Sequence, residues 1–133
     1  MRNEFTLHFA EGMPKGTAQQ KRYDGRNKRY FKSKSLVIAE RTFFAALYPH
    51  RPKKPSEHPI RLTLKFYFDV KDKKKWGHPK TTVPDVENYA KAFIDQMTRT
   101  GFWEDDAQVY DLHLTKHWVE EASIEVEWEE VEP

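Results

Sequence analysis

The chain has 133 residues, 38% of them hydrophobic and 14% aromatic, enough for one domain with a small core under a charged exterior. It has no cysteine, which excludes a disulfide framework and a thiolate metal site. The net charge of +2 conceals an asymmetry: residues 1–83 hold 20 Lys and Arg against 7 Asp and Glu, and residues 84–133 hold 3 against 14. A basic half of this kind suits a polyanionic partner, although part of the acidic half can neutralise it within the chain or across a dimer. No apolar run of about 18 residues is available to span a membrane. The stretch MRNEFTLHFAEG has no signal-peptide core, so a cytoplasmic protein is expected.

In chain order, Phe5, Leu7 and Phe9 alternate with polar residues and predict a short half-buried strand. Residues 21–34, KRYDGRNKRYFKSK, are half Lys and Arg with Tyr23, Tyr30 and Phe31 between them. They have no apolar period and read as a long mobile loop. Ser33 or Ser35 can cap a helix that carries Leu36, Ala39, Phe43, Ala46 and Leu47 on one face and stops at Pro49. Residues 60–70 alternate strictly and predict a strand, followed by a second basic loop, KDKKKWGHPKTTVP. A helix over 85–99 has Val86, Ala90, Phe93, Ile94 and Met97 as its apolar stripe and Tyr89 at the margin, with Gly101 as its stop. Residues 107–118 read as a strand with a bulge, and 122–131 as a last strand with Ile124, Val126 and Trp128 facing in. The expected fold is α+β, a single domain over 1–133 with the order β-α-β-α-β-β and a mixed sheet with two helices.

Asp85, Glu87, Asp105 and Asp106 gather around the second helix, directly after a lysine-rich segment. Carboxylates in a basic protein suit a hard cation such as Mg²⁺ facing a phosphate backbone. The same residues also suit a solvated helix start and an acidic turn. Asp85 and Glu87 diverge on a regular helix and converge if Asp85 is the N-cap. Lys91 lies one turn past Glu87, as a surface ion-pair partner or as a group aimed at a scissile phosphate. A tight helix-to-strand connection could return Asp106 to the metal-facing end, but periodicity does not decide between Asp105 and Asp106. The basic loops at 15–34 and 71–80 supply candidate phosphate contacts: Lys21, Arg22, Arg26, Lys28, Arg29, Lys32, Lys73, Lys74, Lys75 and Lys80. Tyr23, Tyr30, Phe31 and Trp76 are candidates for stacking on opened bases or for packing on the protein body.

The segment PDVENYAKAFIDQM, followed by GFWEDDAQV, resembles the signature of the RusA family of Holliday junction resolvases. That family carries Asp-x-Asp-Asn followed by a lysine, then an Asp-Asp-x-Gln-Val turn. The matching positions are Asp85, Glu87, Asn88 and Lys91, then Asp105, Asp106, Gln108 and Val109, with Lys116 where a strand lysine is common. Glu87 departs from the usual aspartate. The resemblance implies that Asp85, Glu87 and Asp106 bind Mg²⁺, with Mn²⁺ as a possible substitute, and that Lys91 assists catalysis. It also implies a homodimer that cuts four-way DNA junctions by phosphodiester hydrolysis. The alternatives are a branched-DNA binding module without catalysis and a single-cut branch or flap nuclease.

Overall fold

The computed structural model describes residues 2–16, 21–25 and 29–132, with the backbone alone for the strands at 21–24 and 29–31. The strictly alternating segment forms an inner strand, β4 in chain order, over Ile60–Asp69. Its even-numbered residues Ile60, Leu62, Leu64, Phe66 and Phe68 are buried, and its odd-numbered ones face away from the core. The first strand, β1, is Arg2–His8, and the last two, β5 and β6, are Val109–Val119 and Ser123–Glu130. The sheet order is β1-β6-β4-β5, antiparallel except for the parallel pair β4–β5. The element order and the mixed sheet are as the sequence pattern predicts. The bulge is present as well: Ile60 pairs with Val109 but Arg61 pairs with Asp111, so Tyr110 is the extra residue.

Two helices pack on one face of the sheet. The first, α1, is Lys34–Leu47, and Ser33 caps it by accepting from Leu36 N at 3.2 Å. The second, α2, is Val86–Thr100 and ends at Gly101 in the left-handed region with φ +98°. Tyr89 is not marginal as the stripe predicts. It is 1% exposed, its ring meets Phe43, Phe66 and Phe68, and its hydroxyl donates to Pro14 O at 2.6 Å. A phenol reaches the core because one backbone carbonyl satisfies its only donor.

The first basic segment differs from the expected loop. Lys21–Asp24 (β2) and Arg29–Lys32 (β3) pair as an antiparallel hairpin. Asp24-Gly25, at the end of β2, is a turn-prone dipeptide, and the two strands carry no apolar period. Lys21, Arg22 and Arg29 lie on this hairpin, whereas Arg26 and Lys28 fall outside the described residues.

Parallel neighbours require a crossover, and α2 is the crossover between β4 and β5. It therefore runs antiparallel to both. Its start lies over the ends of β4 and β5, and its end lies over their beginnings. Contacts at both ends agree: Lys116, late in β5, bonds to Pro84 O just before α2. Phe102 O, just after α2, accepts from Ser56 N just before β4.

Candidate active site

Asp85 is the N-cap of α2, with extended backbone dihedrals (φ −59°, ψ 131°) and a carboxylate that accepts from Glu87 N at 3.1 Å. Glu87 and Lys91 are exposed, and the ion pair that their spacing allows is not formed. Both side chains are thus free to engage a ligand.

Two lysines fix the loop that delivers Asp85. Lys80 is 6% exposed. Its ammonium donates to Thr82 Oγ1 at 2.6 Å, to Thr82 O at 3.2 Å and to Val83 O. Lys116 donates to Thr82 O at 2.5 Å and to Pro84 O at 2.6 Å. The Lys80 ammonium also lies 4.3 Å from the centroid of Trp118. Burial, then the charges of Lys116 and Lys75, hold its pKa below the usual lysine range. The sequence places Lys80 among the phosphate contacts; the structure instead commits its ammonium to carbonyls inside the loop. No periodicity marks such a residue. Its signal is a Pro-rich loop whose carbonyls need donors that its prolines cannot supply.

Lys73, Lys74 and Lys75 form a short exposed 3₁₀ turn, capped by Asp72 through Lys74 N at 3.1 Å. Trp76 packs rather than projecting: it is half-buried and its indole donates to Val70 O at 2.8 Å. Lys32 is half-buried and bonds both oxygens of Glu40, at 2.8 and 2.9 Å, so one candidate phosphate contact is already paired within the chain.

At the other end of α2 the double aspartate divides its work. Asp105 caps the 3₁₀ turn Asp106–Gln108, accepting from Ala107 N at 2.9 Å. Gln108 completes the cap, accepting from Glu104 N and Asp105 N and donating to Ser56 O and His58 O, both at 2.9 Å. Asp106 is exposed with its carboxylate uncommitted. Asp105 thus shapes the turn, and Asp106 presents an exposed carboxylate without a cap to hold.

The connection does not carry Asp106 back to Asp85. The 15 residues of α2 make a rod about 22 Å long at 1.5 Å per residue, with Asp85 at one end and Asp106 beyond the other. Among the described residues no three His, Cys, Asp or Glu side chains form a metal-binding group. The candidate carboxylates thus stand at opposite ends of α2: Asp85 and Glu87 beside the lysine clamp and the basic turn, and Asp106 on an acidic turn.

An α+β domain with free carboxylates on a helix start and on a strand lead-in, flanked by a basic loop, has the makings of a nuclease. The model of the endodeoxyribonuclease RusA family matches residues 11–129, and the chain belongs to that family. It is similar to the crossover junction endodeoxyribonuclease of Lactococcus phage r1t, with 36% identity over 89 residues, 65% of this chain and 68% of that one. It is 29% identical over 145 aligned positions to the uncharacterized protein YqaN of Bacillus subtilis, covering 96% of both. The RusA crossover junction endodeoxyribonuclease of Escherichia coli K12 is 50% identical over a shorter match of 32 residues, 24% of this chain and 27% of that one.

Proposed function

We propose that this endodeoxyribonuclease cuts four-way DNA junctions, that it depends on Mg²⁺, and that it acts as a homodimer. The observation that carries the reading is the family match, which spans both ends of α2 and runs alongside relatives named for crossover junctions. The free carboxylates of Asp85, Glu87 and Asp106 support the metal dependence. They are oxygen donors only, the set that hard divalent ions prefer. Asp85 and Glu87 of one chain, with Asp106 of a second, would hold the ion. Bound there, it would supply Lewis-acid stabilisation of charge on a phosphoryl oxygen.

Distance supports the dimer. A single chain keeps Asp106 a helix length from Asp85, so in this reading a second chain brings its own Asp106 to that end. Two such sites related by a two-fold axis also match the two symmetry-related strands of a junction. The chain's other residues serve binding and charge. Lys91, exposed one turn along α2 from Glu87, faces the phosphate and offsets charge that develops in the transition state. The positive end of the α2 dipole favours the same anion. Lys73, Lys74 and Lys75 grip the backbone without reading sequence.

Asp85→Asn and Asp106→Asn test the reading. Each keeps volume and removes a ligand charge, so each should abolish cleavage of a synthetic four-way junction in Mg²⁺ while junction binding persists. Glu87→Asp should retain cleavage and Glu87→Gln should lose it. Near-normal cleavage by the asparagine variants in saturating Mg²⁺ would sink the metal site. Equal cutting of a Y-fork and of linear duplex would sink the junction preference.

A further inference from the structure

Val83 is 86% exposed, more than any other large apolar side chain among the described residues. A single apolar residue on a surface is ordinary. What sets Val83 apart is how firmly its backbone is held. Three successive carbonyls, those of Thr82, Val83 and Pro84, accept from the ammonium groups of Lys80 and Lys116. Both lysines are anchored in turn. Lys80 is buried, and its N–H donates to Lys116 O at 3.1 Å. Its ammonium lies 4.3 Å from the centroid of Trp118 and 5.3 Å from that of Phe68. Lys116 belongs to β5. A β-branched side chain is also stiff about χ1. The loop therefore presents a rigid apolar knob to water.

The surroundings of the knob suit a nucleic-acid strand. Residues 81–84, Thr-Thr-Val-Pro, carry no charge, so the tip itself is no phosphate grip. The exposed Lys73, Lys74 and Lys75 come before it in the chain, and Asp85 and Glu87 directly after. Two residues span at most about 7 Å, and stacked bases rise about 3.4 Å per step. A strand whose phosphate is held at Asp85 thus brings its adjoining bases within reach of Val83. A continuous duplex covers its base faces by stacking. Opening a step costs free energy, and the cost is smallest where pairing and stacking are already interrupted.

We propose that Val83 is a wedge that packs on the face of a base at the branch point, beside the phosphate to be cut, and favours the junction over continuous duplex. The inference rests on the junction reading above and adds a specificity residue to it. Lysine contacts to phosphate grip junction and duplex alike. The wedge adds binding only where a base face is open, and Lys80 and Lys116 serve it by holding the loop.

The test uses 2-aminopurine, a base that brightens when unstacked, placed at the branch point of a synthetic four-way junction and at the same sequence position in a linear duplex. Both are titrated in EDTA, so that binding is read apart from metal-assisted cutting. The wild-type chain should brighten the junction and leave the duplex unchanged. Val83→Ser should lose the brightening and lower the junction-to-duplex affinity ratio by about tenfold, the factor that burial of one valine side chain supplies. Val83→Leu, which keeps an apolar knob, should keep the brightening. Both variants should share the wild-type circular dichroism spectrum, because the side chain stands in water. A Val83→Ser protein that retains both the brightening and the ratio would overturn the wedge and leave the junction reading intact. A wild-type chain that binds junction and duplex equally would overturn both. Loss of self-association by Val83→Ser in sedimentation would assign the side chain to a second copy and overturn the wedge.

Discussion

Tyr89 ties three segments together at a single side chain. Its ring fills the space between α1, α2 and β4, and its hydroxyl holds Pro14 of the segment after β1. Burial first, and then the charge of Asp69, push its pKa above the ordinary tyrosine range. Such a group stabilises the fold fully below the unfolded pKa near 10. That contribution falls as pH rises toward the folded pKa, because there the unfolded chain has already lost its proton. Tyr89→Phe should therefore cost about 1–2 kcal/mol at neutral pH, mostly from the orphaned Pro14 carbonyl. It should also flatten the decline in stability above about pH 10. Urea unfolding at pH 7 and pH 10.5 checks both, and an equally steep alkaline decline in the variant would remove Tyr89 from the account. Lys80 has its pKa moved in the same sense as other buried lysines, downward, because its positive form is what burial penalises.

Elements that bury an alternating or 3.6-residue stripe are legible in the sequence, because burial imposes the period. Ile60–Asp69 shows period two, α2 shows its stripe, and Ile124, Val126 and Trp128 turn inward as the alternation requires. The β2–β3 hairpin escapes because its sequence gives no burial signal; only Asp24-Gly25 announces a turn. The carboxylate motif is legible as spacing, whereas its division between two ends is legible only by counting residues along α2. A helix of this length moves the chain a full domain width, and the strand that follows starts at the far end. The end of α2 is a second case of local chemistry deciding an element. Gly101 has φ +98°, its N–H bonds Met97 O and Thr98 O, and Phe102 N returns to Met97 O. An added Cβ would meet nothing closer than Pro55 Cγ at 3.8 Å, so the cost of a side chain is one of backbone alone. Gly101→Ala should destabilise the protein by about 1–2 kcal/mol, the usual cost of an L residue in that region. Thermal unfolding that is unchanged within error would show that the turn relaxes into another conformation.

Across the molecule, charge is sorted by face and by end. Glu125, Glu127 and Glu129 alternate with buried β6 residues, so they line the sheet face turned away from the helices, opposite Glu4 on β1 and beside Arg61 and Lys65 on β4. That face carries ion pairs such as Arg2–Glu127 at 2.9 Å and Arg61–Glu129 at 3.3 Å, and it repels a phosphate backbone. DNA is therefore expected at the end where α2 begins and Lys73, Lys74 and Lys75 stand exposed. Replacing these three with alanine should weaken junction binding and lower the log–log salt slope by roughly 0.9 for each phosphate left without its lysine. A salt titration with an unchanged slope would move the DNA elsewhere.

The same sorting by ends makes the proposed sharing of a site between two chains testable. If each site takes Asp85 and Glu87 from one chain and Asp106 from the other, Asp85→Asn and Asp106→Asn homodimers are each dead in both sites. A mixed dimer of the two variants is different: one site collects both substitutions, and the other collects none. Co-expressed with two tags and purified through both, the mixed dimer should regain cleavage at a single strand, leaving a nicked junction instead of paired duplex products. Denaturing and native gels of the same reaction distinguish those outcomes. A mixed dimer as inactive as its parents would mean that each chain assembles its site alone, against the helix length that separates Asp85 from Asp106.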